Sequence, residues 1–302
     1  MDSLLSITDI KDDVSYILDL ACKIKAGEME EKPLEGKTLA MIFQKSSTRT
    51  RVSFDVGMYQ LGGRAIFLSS NDLQMGRGEP IYDTAKVLSR FVDGIMIRAI
   101  KHEDVVELAE HAEVPVISGL TDLEHPCQAL ADVLTIREHF GSFENKKICF
   151  VGDGNNVCNS LLLIAPLLGM DMSVACPKGY EPAEEILETA REYAKENNTE
   201  IVVSDDIGVA LENVDVVYTD VWISMGDEAE TKQRKLDFAP FQVNSDLMSL
   251  ANDGAIFMHC LPAVRGQEVT SEVIDGPQSV IFDEAENRMH AQKAILYYFM
   301  KD

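Results

Sequence analysis

The sequence predicts an α/β protein of two domains, each a mostly parallel sheet flanked by helices, with the C-terminal helix packing back on the first domain. Three observations carry this. The chain has 302 residues, and at ~100–200 residues per domain that length favours two. Short apolar runs recur, most of them wholly apolar instead of alternating, as in strands covered on both faces. Amphipathic segments such as 104–112 and 182–197 separate them, the pattern of repeated strand–helix units with right-handed crossovers.

Taken in order, the expected strands are 38–43, 65–68, 94–97, 114–117, 148–151, 172–175, 201–203, 214–218, 255–258 and 280–282. A helix is expected from the run Val52, Phe54, Val56, Met58, Leu61, another over 126–140, and a last one over 284–300. The domain boundary is placed in the 126–140 stretch. The first domain then comprises 1–137 with the C-terminal helix 284–302, and the second 138–283, with four strands and five or six strands respectively.

Composition narrows the function. Asp and Glu number 51 against 27 Lys and Arg, a net charge of −24. Nucleic-acid partners need basic patches, so none is expected. The acidity fits a heavily solvated surface, or adaptation to high salt, where screening relieves self-repulsion. No apolar run approaches the ~18–20 residues of a membrane span, and Met1–Asp13 has no basic segment leading an apolar one. A cytoplasmic protein with no membrane partner is expected. Cys22, Cys127, Cys149, Cys158, Cys176 and Cys260 form no C-x-x-C pair, which reads as reduced thiols with neither disulfide framework nor zinc site.

Ligands of such sheets bind at the carboxyl ends of strands, and the informative motifs fall there. Ser46-Ser47-Thr48-Arg49-Thr50-Arg51 follows the first strand and opens a helix. Hydroxyls there cap free N–H groups, the same N–H groups and helix dipole bind phosphate, and Arg49 adds a bidentate clamp. Ser-Thr alone would be a plain cap; the full hexamer at a strand end points to an anion site. Arg98 closes the strand 94–97 and needs an anion or a carbonyl. His125-Pro126-Cys127-Gln128 opens the next helix, with Pro126 at its first position. His125 can polarise a carbonyl, and Gln128, three residues on, can orient an amide-like NH2. Arg288, in the last helix, is a further anion ligand or a solvated arginine.

In the second half, Gly152-Asp153-Gly154-Asn155-Asn156 follows the strand 148–151. It resembles a dinucleotide turn only loosely: the third glycine is missing, and the next strand ends in Cys176-Pro177-Lys178 without the expected acid. Asn156 suits a substrate carboxylate instead, and no cofactor is expected. Asp220-Val221-Trp222-Ile223-Ser224-Met225-Gly226 follows 214–218 and suits an amino acid's ammonium and carboxylate. His259-Cys260-Leu261-Pro262 follows 255–258. Cys260 invites a nucleophile reading, but no base can be assigned to it, and a role shaping an amine site is preferred.

Together these elements resemble the aspartate/ornithine carbamoyltransferase family over nearly the whole chain, in the expected order, and within it the branch that accepts ornithine. The resemblance rests on Ser47-Thr48-Arg49-Thr50-Arg51, His125-Pro126-Cys127-Gln128, the 220–226 segment and His259-Cys260-Leu261-Pro262. It implies transfer of the carbamoyl group of carbamoyl phosphate to the δ-amine of L-ornithine, in arginine biosynthesis or in reverse in arginine degradation, by a homotrimer or a multiple of trimers. It implies Arg49, Arg98, His125 and Cys260 as catalytic residues. Carbamoyl phosphate would lie on Ser47, Thr48, Arg49, Thr50, Arg98, His125, Pro126, Cys127, Gln128, Cys260, Leu261 and Arg288, and on Gln74 of a neighbouring subunit. Ornithine would lie on Asn156, Asp220, Ser224 and Met225. The aspartate branch is similar in its Ser-Thr-Arg-Thr-Arg element but carries a lysine in the loop that here reads Asp72-Leu73-Gln74-Met75-Gly76-Arg77-Gly78-Glu79-Pro80, and a proline in place of Cys260. Asp220 suits a cationic acceptor and repels a dicarboxylate.

Overall fold

The structure is a computed structural model and describes residues 2–29, 32–70, 73–75, 78–223 and 231–301. The chain forms two compact units, Met1–Leu134 with Glu286–Asp302, and Thr135–Ala285.

The first unit is a four-stranded sheet of β1 (Thr38–Phe43), β2 (Arg64–Ser69), β3 (Gly94–Arg98) and β4 (Val116–Leu120) in the order β2-β1-β3-β4. All its pairings are parallel. Each strand of β1 and β3 is buried along its whole length, as their unbroken apolar sequence demands. Around the sheet lie α1 (Val14–Lys25), α2 (Thr48–Gln60), α3 (Ile81–Leu88), α4 (His102–His111) and the start of α5 (Pro126–Phe140). α1 buries Val14, Ile17, Leu18, Ala21 and Ile24, one stripe at helical spacing. Burying each Leu or Ile there contributes about 1.5–3 kcal/mol.

Two features of this unit come from distant parts of the chain. Leu4 bridges in parallel to Ile117, with Leu4 N–H donating to the Val116 carbonyl at 2.9 Å. The N-terminal residues thus cover the outer side of β4, which otherwise presents unpaired backbone groups. α12 (Ile281–Met300) returns to the unit at the other end of the sequence. A Cβ on Gly57 would lie 3.3 Å from Lys293, and one on Gly94 would lie 3.0 Å from the Met300 sulfur. Lys25 Nζ donates to Asn287 Oδ1 at 2.8 Å. The expected packing of the last helix on the first domain is therefore present.

The second unit has five parallel strands in the order β7-β6-β5-β8-β9. They are β5 (Lys147–Val151), β6 (Asp171–Ala175), β7 (Ile201–Ser204), β8 (Val216–Thr219) and β9 (Ile256–Met258). Its helices are α6 (Asn156–Leu167), α7 (Glu184–Asn197), α8 (Ile207–Ala210), α9 (Thr231–Phe238), α10 (Ser245–Met248) and α11 (Ser271–Ile274). One core cluster gathers Cys149, Val151, Val217 and Phe257, which the register puts on one face of the sheet, with Ile281.

Two expectations need correction. Residues 280–282 are not a tenth strand: Ile281 begins α12, and only Ser279 bridges to Phe257. A three-residue apolar run does not distinguish strand from buried helix, and Asp283 and Glu284 in the first turn favour the helix start. The strand expected at 114–117 begins instead at Val116 and runs to Leu120. Pro115 has no N–H to give the ladder.

Strand order decides where ligands can sit. In an open parallel sheet, the crevice forms where consecutive connections leave in opposite directions. In the first unit that point lies between β1 and β3, and in the second between β5 and β8.

Candidate active site

At the switch point of the first unit, β1 ends and α2 begins within a few residues. Ser47 is the N-cap of α2, its hydroxyl accepting from Thr50 N–H at 3.3 Å and donating to Thr50 Oγ1 at 3.1 Å. Thr48, Arg49 and Thr50 form the first turn, with Thr50 fully buried. Arg98 is the last residue of β3, paired in register with Phe43 of β1 and buried. Its carbonyl accepts from Gln44 N–H at 2.9 Å.

His125, Pro126, Cys127 and Gln128 are all buried at the start of α5. Burial, then the guanidinium groups of Arg288, Arg98 and Arg49, hold His125 well below the usual 6.5. Three arginines, from α12, β3 and α2, therefore act on one buried histidine and disfavour its charged form. Gln128 Nε2 donates to Asp132 Oδ1 at 2.7 Å, and Gln128 Oε1 accepts from Arg288 Nη1 at 2.5 Å. Arg288 Nη2 donates to Thr50 Oγ1 at 3.3 Å. Cys127 is a structural thiol: it donates to the Ser118 carbonyl at 3.3 Å, and burial pushes it up to about 12. Gln74 is exposed.

The neutral histidine has a consequence for stability. In the unfolded chain it takes up a proton near 6.5, but the folded protein resists that proton. The fold thus loses stability as pH falls from about 6.5 toward the depressed value, and keeps it above 6.5. In denaturant titrations from about pH 8 to 5, wild type should weaken relative to His125→Gln as the solution acidifies. A difference that does not change with pH would contradict the neutral assignment.

The second unit gathers its residues at the ends of β5, β8 and β9. Gly152 has φ +138, a backbone that favours glycine, and a Cβ on Gly154 would lie 2.2 Å from the Pro182 nitrogen. Local backbone geometry thus accounts for the two glycines of the loose dinucleotide motif. Asn155 caps α6, its Oδ1 accepting from Val157 and Cys158 N–H at 3.0 and 3.1 Å. Its Nδ2 donates to Asp220 Oδ2 at 2.8 Å. Asp220, 9% exposed, also accepts from Val221 N–H at 2.8 Å and from Cys260 Sγ at 3.2 Å. Asn156 is the first residue of α6 and half-buried. Leu261 follows Cys260, its N–H donating to His259 Nδ1 at 2.9 Å. Ser224 and Met225 lie outside the described residues.

Asp220, His259 and Cys260 bring three ligand-type atoms within 4.8 Å of one another. His259 already accepts from Leu261 at one ring nitrogen and meets Glu268 at the other, at 3.2 Å. Hydrogen bonding accounts for the group. Trp222, singled out in the sequence, is a buried anchor: it stacks on Phe238, and its carbonyl accepts from Arg234, which also pairs with Asp153.

Sequence reasoning missed Asp132 and Asn155. Asp132 stands four residues after Gln128, a helical neighbour. Asn155 directly precedes a helix start, where Asn is a preferred cap.

An α/β protein with arginines acting on a buried histidine at a helix start is of the class whose strand-end site suits an anion. Comparison with known proteins makes the class specific. The family model described as "Aspartate/ornithine carbamoyltransferase, carbamoyl-P binding domain" matches residues 2–138, and that of the "Asp/Orn binding domain" matches 144–299. The chain belongs to the aspartate/ornithine carbamoyltransferase family. It is 77% identical over 301 residues to the ornithine carbamoyltransferase of Methanobrevibacter smithii, covering 100% of both chains. It is 63% identical to that of Methanothermobacter thermautotrophicus, again covering 100% of both. Among solved structures, the ornithine carbamoyltransferase of Pyrococcus furiosus superposes with TM-score 0.95 at 52% identity, over 99% of this chain and 96% of that one.

Proposed function

We propose that this chain transfers the carbamoyl group of carbamoyl phosphate to the δ-amine of L-ornithine, giving L-citrulline and phosphate. The observation that carries this reading is the capped start of α2, where buried Arg288 donates to Thr50 and to Gln128, three residues from buried His125, with the guanidinium groups of Arg288, Arg98 and Arg49 disfavouring a charged His125. Such a cluster supplies positive potential for a phosphate within a chain of net charge −24.

The first domain, drawn as 1–137 with 284–302, binds carbamoyl phosphate. Ser47, Thr48, Arg49 and Thr50 take the phosphate through side chains and helix N–H groups. Arg98 and His125 face the carbonyl, with Pro126, Cys127, Gln128 and Arg288 around the carbamoyl group. The second domain, 138–283, binds ornithine through Asn156, Asp220, Ser224 and Met225. Cys260 and Leu261 belong to that domain's share of substrate binding. A buried Asp220, met only by neutral donors among the described residues, favours a cationic ligand.

In the reaction the neutral amine attacks the carbonyl carbon, and the C–N bond forms. Negative charge grows on the carbonyl oxygen, where fixed donors from Thr50, Arg98 and His125 stabilise it, while Arg49 stabilises the charge that develops on the departing phosphate. The C–O bond to phosphate then breaks, and the departing phosphate accepts the amine's proton. An alkyl ammonium has a pKa of ~10.4, so a positive surround that disfavours the charged amine assists attack.

The assembly we infer is a homotrimer or a multiple of it, with Gln74 serving the neighbouring subunit's cradle. Supporting it, the edge strand β2 exposes Ile66 and Phe67, and α2 exposes Val52 and Tyr59, an apolar surface that association would cover. Cytoplasmic residence fits the six free cysteines. Among the described residues, no helix is long and apolar enough to cross a membrane.

The test is colorimetric citrulline formation from carbamoyl phosphate with ornithine, aspartate or putrescine offered singly. Ornithine alone should give product. Carbamoylation of aspartate or putrescine instead would overturn the choice of acceptor, and no transfer to any would overturn the reading.

A further inference from the structure

We propose that Asp132 is a positioning residue for the anion cradle, fixing the amide of Gln128 and through it Arg288. This rests on the carbamoyl phosphate reading above.

The two ends of a glutamine amide have nearly the same shape, so its partners decide which way it points. Here both partners favour the same choice. Asp132 is fully buried and offers a carboxylate oxygen 2.7 Å from Gln128 Nε2. A carboxylate accepts, so the NH2 end turns toward it. Arg288, 3% exposed, stands 2.5 Å from Gln128 Oε1. A guanidinium only donates, so the carbonyl end turns toward it.

The chain of contacts continues into the helix start. The second nitrogen of Arg288 donates to Thr50 Oγ1 at 3.3 Å, and the same oxygen accepts from Ser47 Oγ at 3.1 Å. Asp132 and Gln128 stand four apart on α5, Arg288 on α12, Thr50 and Ser47 at the start of α2. One buried network therefore ties three helices and ends on the cap of the phosphate-binding turn. Asp132 itself need not touch substrate. Its acceptor oxygen and position set the orientation of Gln128, and that orientation holds Arg288 where its guanidinium serves an anion. A longer reach or a wrong amide flip would set a donor against a donor, in a site too buried for water to compensate.

The experiment is a double-mutant cycle read on steady-state kinetics with carbamoyl phosphate and ornithine. Asp132→Leu should raise KM for carbamoyl phosphate by roughly ten- to a hundredfold, as expected for a buried donor left unsatisfied, with KM for ornithine little changed. Asp132→Asn keeps an acceptor for Gln128 Nε2 and should recover most of the loss. In a Gln128→Ala background, Asp132→Asn and Asp132→Leu should no longer differ in KM for carbamoyl phosphate. An Asp132→Leu enzyme with wild-type KM would overturn the inference. So would equal effects of Leu and Asn in the Gln128-containing enzyme, or the same difference between them without Gln128. If Asp132→Leu does not fold, Asp132→Ala with and without Gln128 still decides: a rise in KM for carbamoyl phosphate that is the same in both backgrounds refutes action through Gln128. Failure of the functional reading looks different, since wild type would then form no citrulline and Gln128→Ala would have nothing to lower.

Discussion

Arg49→Ala is expected to lower kcat/KM for carbamoyl phosphate by about 10²–10³-fold or more while the fold persists, because one lost donor to charge that develops in the reaction, here on the departing phosphate, costs ~2.7–4 kcal/mol. Arg49 is the second residue of α2, only partly buried, and its main-chain carbonyl accepts from Ser53 Oγ at 2.6 Å. That contact survives truncation of the side chain, so the helix should form as before. The guanidinium is one of three that act on His125, and removing it weakens the local positive potential that must offset a strongly acidic molecule. Steady-state kinetics with circular dichroism as a control for folding make the measurement. Near-normal turnover would remove Arg49 from the cradle.

The second large effect is expected at the other unit. Asp220→Asn should raise KM for ornithine by about a hundredfold or more, since truncating a buried charge-pairing group costs ~2–5 kcal/mol. Equilibrium binding of carbamoyl phosphate should be little affected. Asp220 is buried among Asn155, Val221 N–H and the Cys260 thiol, all neutral donors. A carboxylate removed from water is compensated fully only when a cation arrives, and the ammonium of an amino acid supplies it. Asparagine keeps the size but turns an NH2 toward donors, or loses the charge that attracts the substrate. Calorimetry with each substrate separates the two effects. Unchanged affinity for ornithine would refute the assignment.

Much of the fold was legible in the sequence because it is encoded locally. β1 is apolar from Leu39 to Phe43 and β3 from Gly94 to Ile97, before Arg98, and a strand buried on both faces has little other way to read. Ser47 as a cap follows from its place between strand and helix, and Pro126 as the first residue of α5 from its fixed φ and missing N–H. The exceptions are equally physical. Residues 280–282 have the composition of a strand, but Asp283 and Glu284 behind them start a helix. Gly152 and Gly154 imitate a nucleotide-binding turn, although left-handed backbone and close approach to Pro182 account for them.

The site divides along the same line. Ser47, Thr48, Arg49 and Thr50 were readable as an anion cradle because cap, dipole and charge lie within four consecutive positions. Arg288 was ambiguous by itself, since nothing near it in sequence distinguishes a solvated helix arginine from a ligand. Its contact with Thr50, 238 positions away, exists only once α12 has folded back. The contact of Asn155 with Asp220, 65 positions away, is of the same kind, whereas Asp132 has its partner Gln128 four residues back on α5 and was readable from helical spacing.

By itself, then, the sequence determined the class of each element, the motifs at the strand ends and the need for a local positive cluster in an acidic chain. Strand order was decided in three dimensions, and with it the two switch points that turn separate motifs into sites. So were the covering of β4 by Leu4, the neutrality of His125 and the network from Asp132 to Ser47. The reason is range. Backbone preference and hydrophobic period act between residues a few positions apart, whereas burial of whole faces and the pairing of distant polar groups depend on which segments the collapsed chain brings side by side.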